Sequence, residues 1–129
     1  MKLLLDTHTF LWWITDNPQL SQTARQAIAK PENDTYLSAA SIWEIVIKEQ
    51  LGKLTLPTTN TEKFISNQLA INAFQELPIH ITHTLKVRTL PTLHRDPFDR
   101  ILIAQAVAES MTLVSDDRVF ASYPVAVLW

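Results

Sequence analysis

The sequence predicts an α/β protein built as a three-layer sandwich, with a central parallel β-sheet of about five strands flanked by helices. Three observations carry this reading. Short apolar runs of strand length alternate with longer segments of helical period along the whole chain. Start and stop signals for helices separate them. Two of the apolar runs, Leu3 to Leu5 and Leu113 to Ser115, are each followed by an aspartate, Asp6 and Asp117. In an open parallel sheet, ligands bind outside the carboxyl ends of the strands.

The elements follow in order. Leu3 to Leu5 reads as a buried strand, and Phe10 to Ile14 as a short, heavily apolar helix that ends before Pro18. Ser21 caps a second helix through Ala29. Thr35 to Ser38 is the second strand, followed by a helix carrying Ile42, Trp43, Ile45, Val46 and Ile47 with Gly52 as its terminator. Thr61 caps the next helix, whose Phe64, Ile65 and Leu69 share a face. Glu76 to Ile79 is a third strand and Ile81 to Leu90 another helix. The clearest helix start lies at Asp96, a good cap, with Pro97 at the first helical position and Asp99 in the first turn before Ile101 to Glu109. Thr112 to Ser115 and Val125 to Leu128 complete the strands. Strands that alternate with helices form right-handed β-α-β units.

Composition sets limits on what such a chain does. Its 129 residues, 47% hydrophobic and 19% charged, suit a single domain over residues 1–129 with one core. A formal net charge of −2 requires that any nucleic acid be held by a local basic patch. The absence of cysteine removes disulfides, zinc fingers and thiol catalysis, and suits a reducing cytoplasm. With Gly52 as the only glycine, neither a dinucleotide-binding fingerprint nor a P-loop can be written. No apolar run approaches the roughly 20 residues needed to span a bilayer, and the segment after Lys2 is too short for a signal-peptide core. The expected location is therefore the cytoplasm, with no membrane partner.

Asp6, Glu44, Asp99 and Asp117 each stand at a strand end or on a helix. If they converge, several like charges require protonation or a cation. Oxygen ligands without cysteine favour Mg²⁺ or Mn²⁺. Such an ion polarises a phosphate and activates water for in-line displacement, which points to phosphodiester hydrolysis.

Leu5-Asp6-Thr7-His8, Ser41-Ile42-Trp43-Glu44-Ile45, the stretch from His94 through Asp96-Pro97-Phe98-Asp99-Arg100 to Ala106, and Leu113-Val114-Ser115-Asp116-Asp117 together resemble the PIN-domain nucleases. The likeness covers the whole chain and is greatest to VapC-type toxins of bacterial toxin–antitoxin pairs, especially those with a D-P-F-D-R-I-L-I-A-Q-A segment. It implies a PIN-like sandwich, a Mg²⁺- or Mn²⁺-dependent endoribonuclease, an RNA substrate, a cognate antitoxin and a homodimer. By position, Asp6, Glu44, Asp99 and Asp117 match the family's four acids. Asp96 shares the site or only caps, and Asp116 competes with Asp117. Thr7 and Ser115 supply supporting hydroxyls, and Ser115 with Lys48, Arg95 and Arg100 forms the candidate substrate-binding set; His94 also flanks the third acid.

Plainer readings stand beside these. Ser41 and Glu44 spell a capping box, Asp96 and Asp99 suit a helix start, and a lone aspartate after a strand is often a turn residue. The basic residues also serve as exposed counter-charges. His8, His80 and His83 lack a metal-ligand pattern and read as structural, and Trp12, Trp13, Trp43 and Trp129 read as core, with a subset available to a partner groove. Two other functions remain open. One is a non-catalytic interaction or RNA-binding module on the same fold; the other is a phosphatase using Asp6 as nucleophile, in which His8 stands where the second acid belongs.

Overall fold

The computed structural model describes residues 1–129. Its strands are β1 (Lys2–Leu5), β2 (Asp34–Ser38), β3 (Gln75–Leu77), β4 (Thr112–Val114) and β5 (Val127–Leu128). The helices are α1 (Thr7–Ile14), α2 (Gln22–Ala29), α3 (Ala39–Gln50), α4 (Thr61–Asn72), α5 (Ile81–Val87) and α6 (Pro97–Ala108), with a 3-10 turn at Arg118–Ser122. All strand pairs are parallel, in the order β3-β2-β1-β4-β5. The five-stranded sandwich predicted from sequence is therefore present.

Strand alternation divides the core between the two faces. Leu3 and Leu5 of β1 pack with Phe10, Ala24, Ile28, Ile45 and Ile65 on one face, while Leu4 packs with Leu102, Ile103, Ala106 and Phe120 on the other. Register obeys the same rule. Leu5 pairs with Val114 and Leu4 with Leu113, and each pair shares a face. Leu4 is wholly inaccessible, so truncating it to alanine would cost about 2–5 kcal/mol.

From β1 the chain winds outward to β3, then returns to the far side of β1 for β4 and β5. The winding direction reverses between β1 and β4. After β1 the chain enters the Phe10 layer, and after β4 it enters the Phe120 layer, so the two exits diverge and open a crevice above the strand ends.

Several local boundaries differ from expectation for identifiable reasons. α1 begins at Thr7 because Asp6 is its N-cap, accepting from the Thr9 backbone N–H at 2.8 Å. The Ser41–Glu44 capping box does not form. Ser38 caps α3 through Ala40, and the Ser41 hydroxyl is buried without a hydrogen-bond partner. Asn60 rather than Thr61 caps α4, leaving the Thr61 hydroxyl to donate to Glu49. α5 stops at Val87, and β5 shortens to two residues. Gly52 follows the end of α3 with φ of +70°, which agrees with its predicted role.

The tryptophans are a partial correction: none lies in the fully buried core, and Trp43 is 60% exposed, packed edge-to-face on Phe98. His83 is buried and structural. The His80 backbone N–H donates to His83 Nδ1, and His83 Nε2 lies 2.8 Å from Glu109. No helix is long and apolar enough to cross a membrane.

Candidate active site

The crevice is a cleft of about 680 Å³ lined by Asp6, Thr7, His8, Trp12, Gln19, Glu44, Lys48, Asp96, Asp99, Asp116, Asp117 and Arg118. Six of those side chains are carboxylates, against the cations Lys48 and Arg118. The carboxylates arrive from four separate pieces of backbone. Asp6 leaves β1, Glu44 rides on α3, Asp96 and Asp99 open α6, and Asp116 and Asp117 follow β4.

The floor is tied together by polar contacts. The Val114 carbonyl at the end of β4 accepts from the Asp6 backbone N–H at 3.2 Å and from the Thr9 hydroxyl at 2.9 Å. This fixes the start of α1 against β4. On the other side, fully buried Gln105 of α6 accepts from the Ser38 hydroxyl at 2.6 Å and donates to the Pro78 carbonyl at 3.2 Å. α6, and with it Asp99, is thereby held to the ends of β2 and β3.

Burial raises the pKa of Asp6 above its usual 3.8, and contacts from the Ser115 and Thr9 side chains offset only part of the rise. Asp99 moves further. Burial first, then the charges of Asp96, Glu44, Asp117 and Asp6, push it up to about 7. His94 Nε2 lies 3.3 Å from Asp99, and His94 Nδ1 lies 2.6 Å from the Tyr123 hydroxyl, which orients the ring.

Glu44 has both oxygens engaged. Thr7 donates its hydroxyl to Oε1 at 2.6 Å, and Lys48, one turn further along α3, places Nζ 2.8 Å from Oε2. Asp117 Oδ1 accepts from the Val119 backbone N–H, while its own N–H donates to the Ser115 hydroxyl at 3.1 Å. Ser115 thus supports the loop and is absent from the cleft lining. Asp96 caps α6 through the Phe98 and Asp99 backbone N–H groups and still faces the cleft, so capping and site membership coexist.

The basic residues separate. Lys48 lines the cleft, and Arg95 lines an adjoining groove with Ile47, Pro97 and Phe98. Arg100 departs from the expectation of phosphate binding. Its guanidinium donates to the Pro91 and Val87 carbonyls and the Tyr123 hydroxyl, a structural use away from the cleft lining. Arg118 and Thr9 were not singled out by sequence; Arg118 follows Asp117 directly, whereas no local signal marks Thr9.

The donor set is all oxygen, and its surplus of negative charge is of a kind that a hard cation would relieve. No three acidic or histidine side chains close on a single point as they stand. The chemistry of the lining, six carboxylates and no sulfur, is nonetheless of the kind that suits Mg²⁺ or Mn²⁺ with water completing the shell.

The family model for the PIN domain matches residues 3–126. Among solved structures, VapBC2 from Rickettsia felis, bound to a promoter DNA fragment, aligns with a TM-score of 0.67 at 20% identity, covering 98% of this chain and 97% of that one. FitAcB from Neisseria gonorrhoeae aligns at 0.64 and 22% identity, covering 97% and 95%. VapBC-5 from Mycobacterium tuberculosis, a member of the VapBC family of toxin–antitoxin systems, aligns at 0.58 and 16% identity, covering 98% and 94%. These likenesses are of fold. A comparison with curated proteins by sequence returns no match.

Proposed function

The chain belongs to the PIN-domain family, and from that premise we propose that it is a Mg²⁺- or Mn²⁺-dependent endoribonuclease, the toxin of a toxin–antitoxin pair. The observation that carries the reading is the convergence of Asp6, Glu44, Asp99 and Asp117, with Asp96 and Asp116 beside them, in one cleft at the switch point of the sheet. Asp6, Asp99, Asp117 and Glu44 would hold the ion, with Asp96 beside them. A divalent cation there supplies Lewis acidity toward the phosphate and lowers the pKa of bound water.

The chain's own residues do the rest. Asp6, held by burial, and Asp99, crowded by the neighbouring acids, line the same cleft before substrate arrives. Thr7 fixes Glu44, and Ser115 fixes the turn that carries Asp117. Hydrolysis adds the water oxygen to phosphorus, breaks the P–O bond to the leaving nucleotide and returns a proton to that oxygen. Lys48 and Arg118 line the cleft and Arg95 the adjoining groove, and these cations would meet RNA phosphates.

The proposal includes a cognate antitoxin, a homodimer and a cytoplasmic setting over residues 1–129 as a single domain. Its support is the likeness in fold to VapBC and FitAcB structures and the absence of a membrane-crossing helix. The open geometry of the acids favours one alternative, a non-catalytic PIN-fold module that binds RNA or protein. A phosphatase using Asp6 is less well supported, because His8 stands where that mechanism needs a second acid.

Cleavage of total bacterial RNA by antitoxin-free protein with Mg²⁺ or Mn²⁺ tests the proposal. Discrete fragments that vanish with EDTA and in Asp6→Asn are the expected result. Intact RNA in the presence of folded, Mn²⁺-bound protein would overturn the nuclease in favour of the module.

A further inference from the structure

Glu44 has a donor on each carboxylate oxygen, and the two donors differ in mobility. Thr7 is 4% exposed and belongs to the first turn of α1, so its hydroxyl stays where the fold puts it. The Lys48 side chain is 37% exposed and ends a four-carbon stem at the cleft wall, so its ammonium can leave without disturbing the core. The pair is four residues apart on one helix with the acid N-terminal to the base, and its lysine end is open to solvent, so this contact can be exchanged while the Thr7 contact stays.

We infer that Lys48 is an exchangeable counter-cation, whose ammonium neutralises Glu44 in the metal-free cleft and withdraws toward the mouth when a divalent cation enters. The inference rests on the metal-dependent reading of the cleft. Four observations support it. The Nζ to Oε2 contact is 2.8 Å, Lys48 lines the same cleft as Asp6, Asp99 and Asp117, the pair is partly open to solvent, and Arg118 is the only other lysine or arginine on the lining. A divalent ion beside Glu44 repels the ammonium at short range in a partly buried setting. Lys48 then faces the open side of the cleft, where an RNA phosphate approaches. A single side chain thus screens the acids before loading and is freed for substrate afterwards.

The exchange predicts competition, which a calorimetric Mn²⁺ titration of the purified full chain reads directly without catalysis. Lys48→Met is expected to bind Mn²⁺ roughly three- to tenfold more tightly than wild type, the scale of removing one positive charge from a partly screened site. Lys48→Arg, which keeps the charge, is expected to match wild type, and Lys48→Gln to follow the methionine variant. Circular dichroism before each titration confirms the fold. Equal or weaker Mn²⁺ affinity in folded Lys48→Met and Lys48→Gln would overturn the exchange while leaving the metal site intact. Wild-type protein that takes up no Mn²⁺ at all would overturn both the exchange and the metal-dependent reading.

Discussion

Replacing Asp99 by asparagine turns the crowding of the cleft into a measurable stability. The unfolded chain releases the Asp99 proton near 3.8, whereas the folded protein holds it up to about 7. Between those limits the folded state binds more protons, so stability falls as pH rises through that window and stays low above it. The full rise from 3.8 to about 7 sets a ceiling of about 4 kcal/mol. With the Asp99 side chain 23% exposed, solvent screening reduces that to about 2 kcal/mol. The acid also favours the first turn of α6, and losing that charge gives back about 0.5 kcal/mol. Metal-free Asp99→Asn should therefore be more stable than wild type at pH 8 by about 1.5 kcal/mol, or roughly 5 °C in Tm for a chain of this size. At pH 4 the advantage should vanish. Thermal unfolding in EDTA at both pH values reads the difference, and saturating Mn²⁺ should then raise the wild type more than the variant. A variant no more stable than wild type at pH 8 would refute the electrostatic account of the cleft.

Three other perturbations address separate parts of the molecule. Asp6→Asn or Asp117→Asn should lower RNA cleavage by roughly 10²-fold or more, the scale of removing a preorganised charge-stabilising group, with an unchanged circular dichroism spectrum. Gln105→Leu removes the acceptor of the buried Ser38 hydroxyl proton and the donor to the Pro78 carbonyl and should cost about 1–3 kcal/mol in urea unfolding. Glu109 is held below its usual 4.5 chiefly by its hydrogen bond to His83; its stabilising effect is present above 4.5 and is lost as pH falls through the lower folded value. Glu109→Gln should accordingly destabilise the protein at neutral pH and flatten the acid limb of its stability profile, as followed by tryptophan fluorescence.

The sequence by itself determined the alternation of elements and most of their starts and stops, because those signals act within about one turn of the chain. Ser21, Asp96 with Pro97, and Gly52 do in the structure what their local patterns predict. The acids were legible too, since a charge that follows an apolar strand, or sits in the first turn of a helix, is visible without coordinates. Only the tertiary structure decided their common destination. The order β3-β2-β1-β4-β5 puts Asp6 beside the loop of Asp116 and Asp117, and packing of α3 and α6 brings Glu44 and Asp99 over them. It also reassigned roles that side-chain type leaves open. Ser41 is buried without a partner, Arg100 is spent on the Pro91 and Val87 carbonyls, and the Thr9 hydroxyl fastens α1 to β4. Those outcomes depend on contacts between residues far apart in the chain. Long-range packing sets them, and no local sequence pattern encodes which distant groups meet.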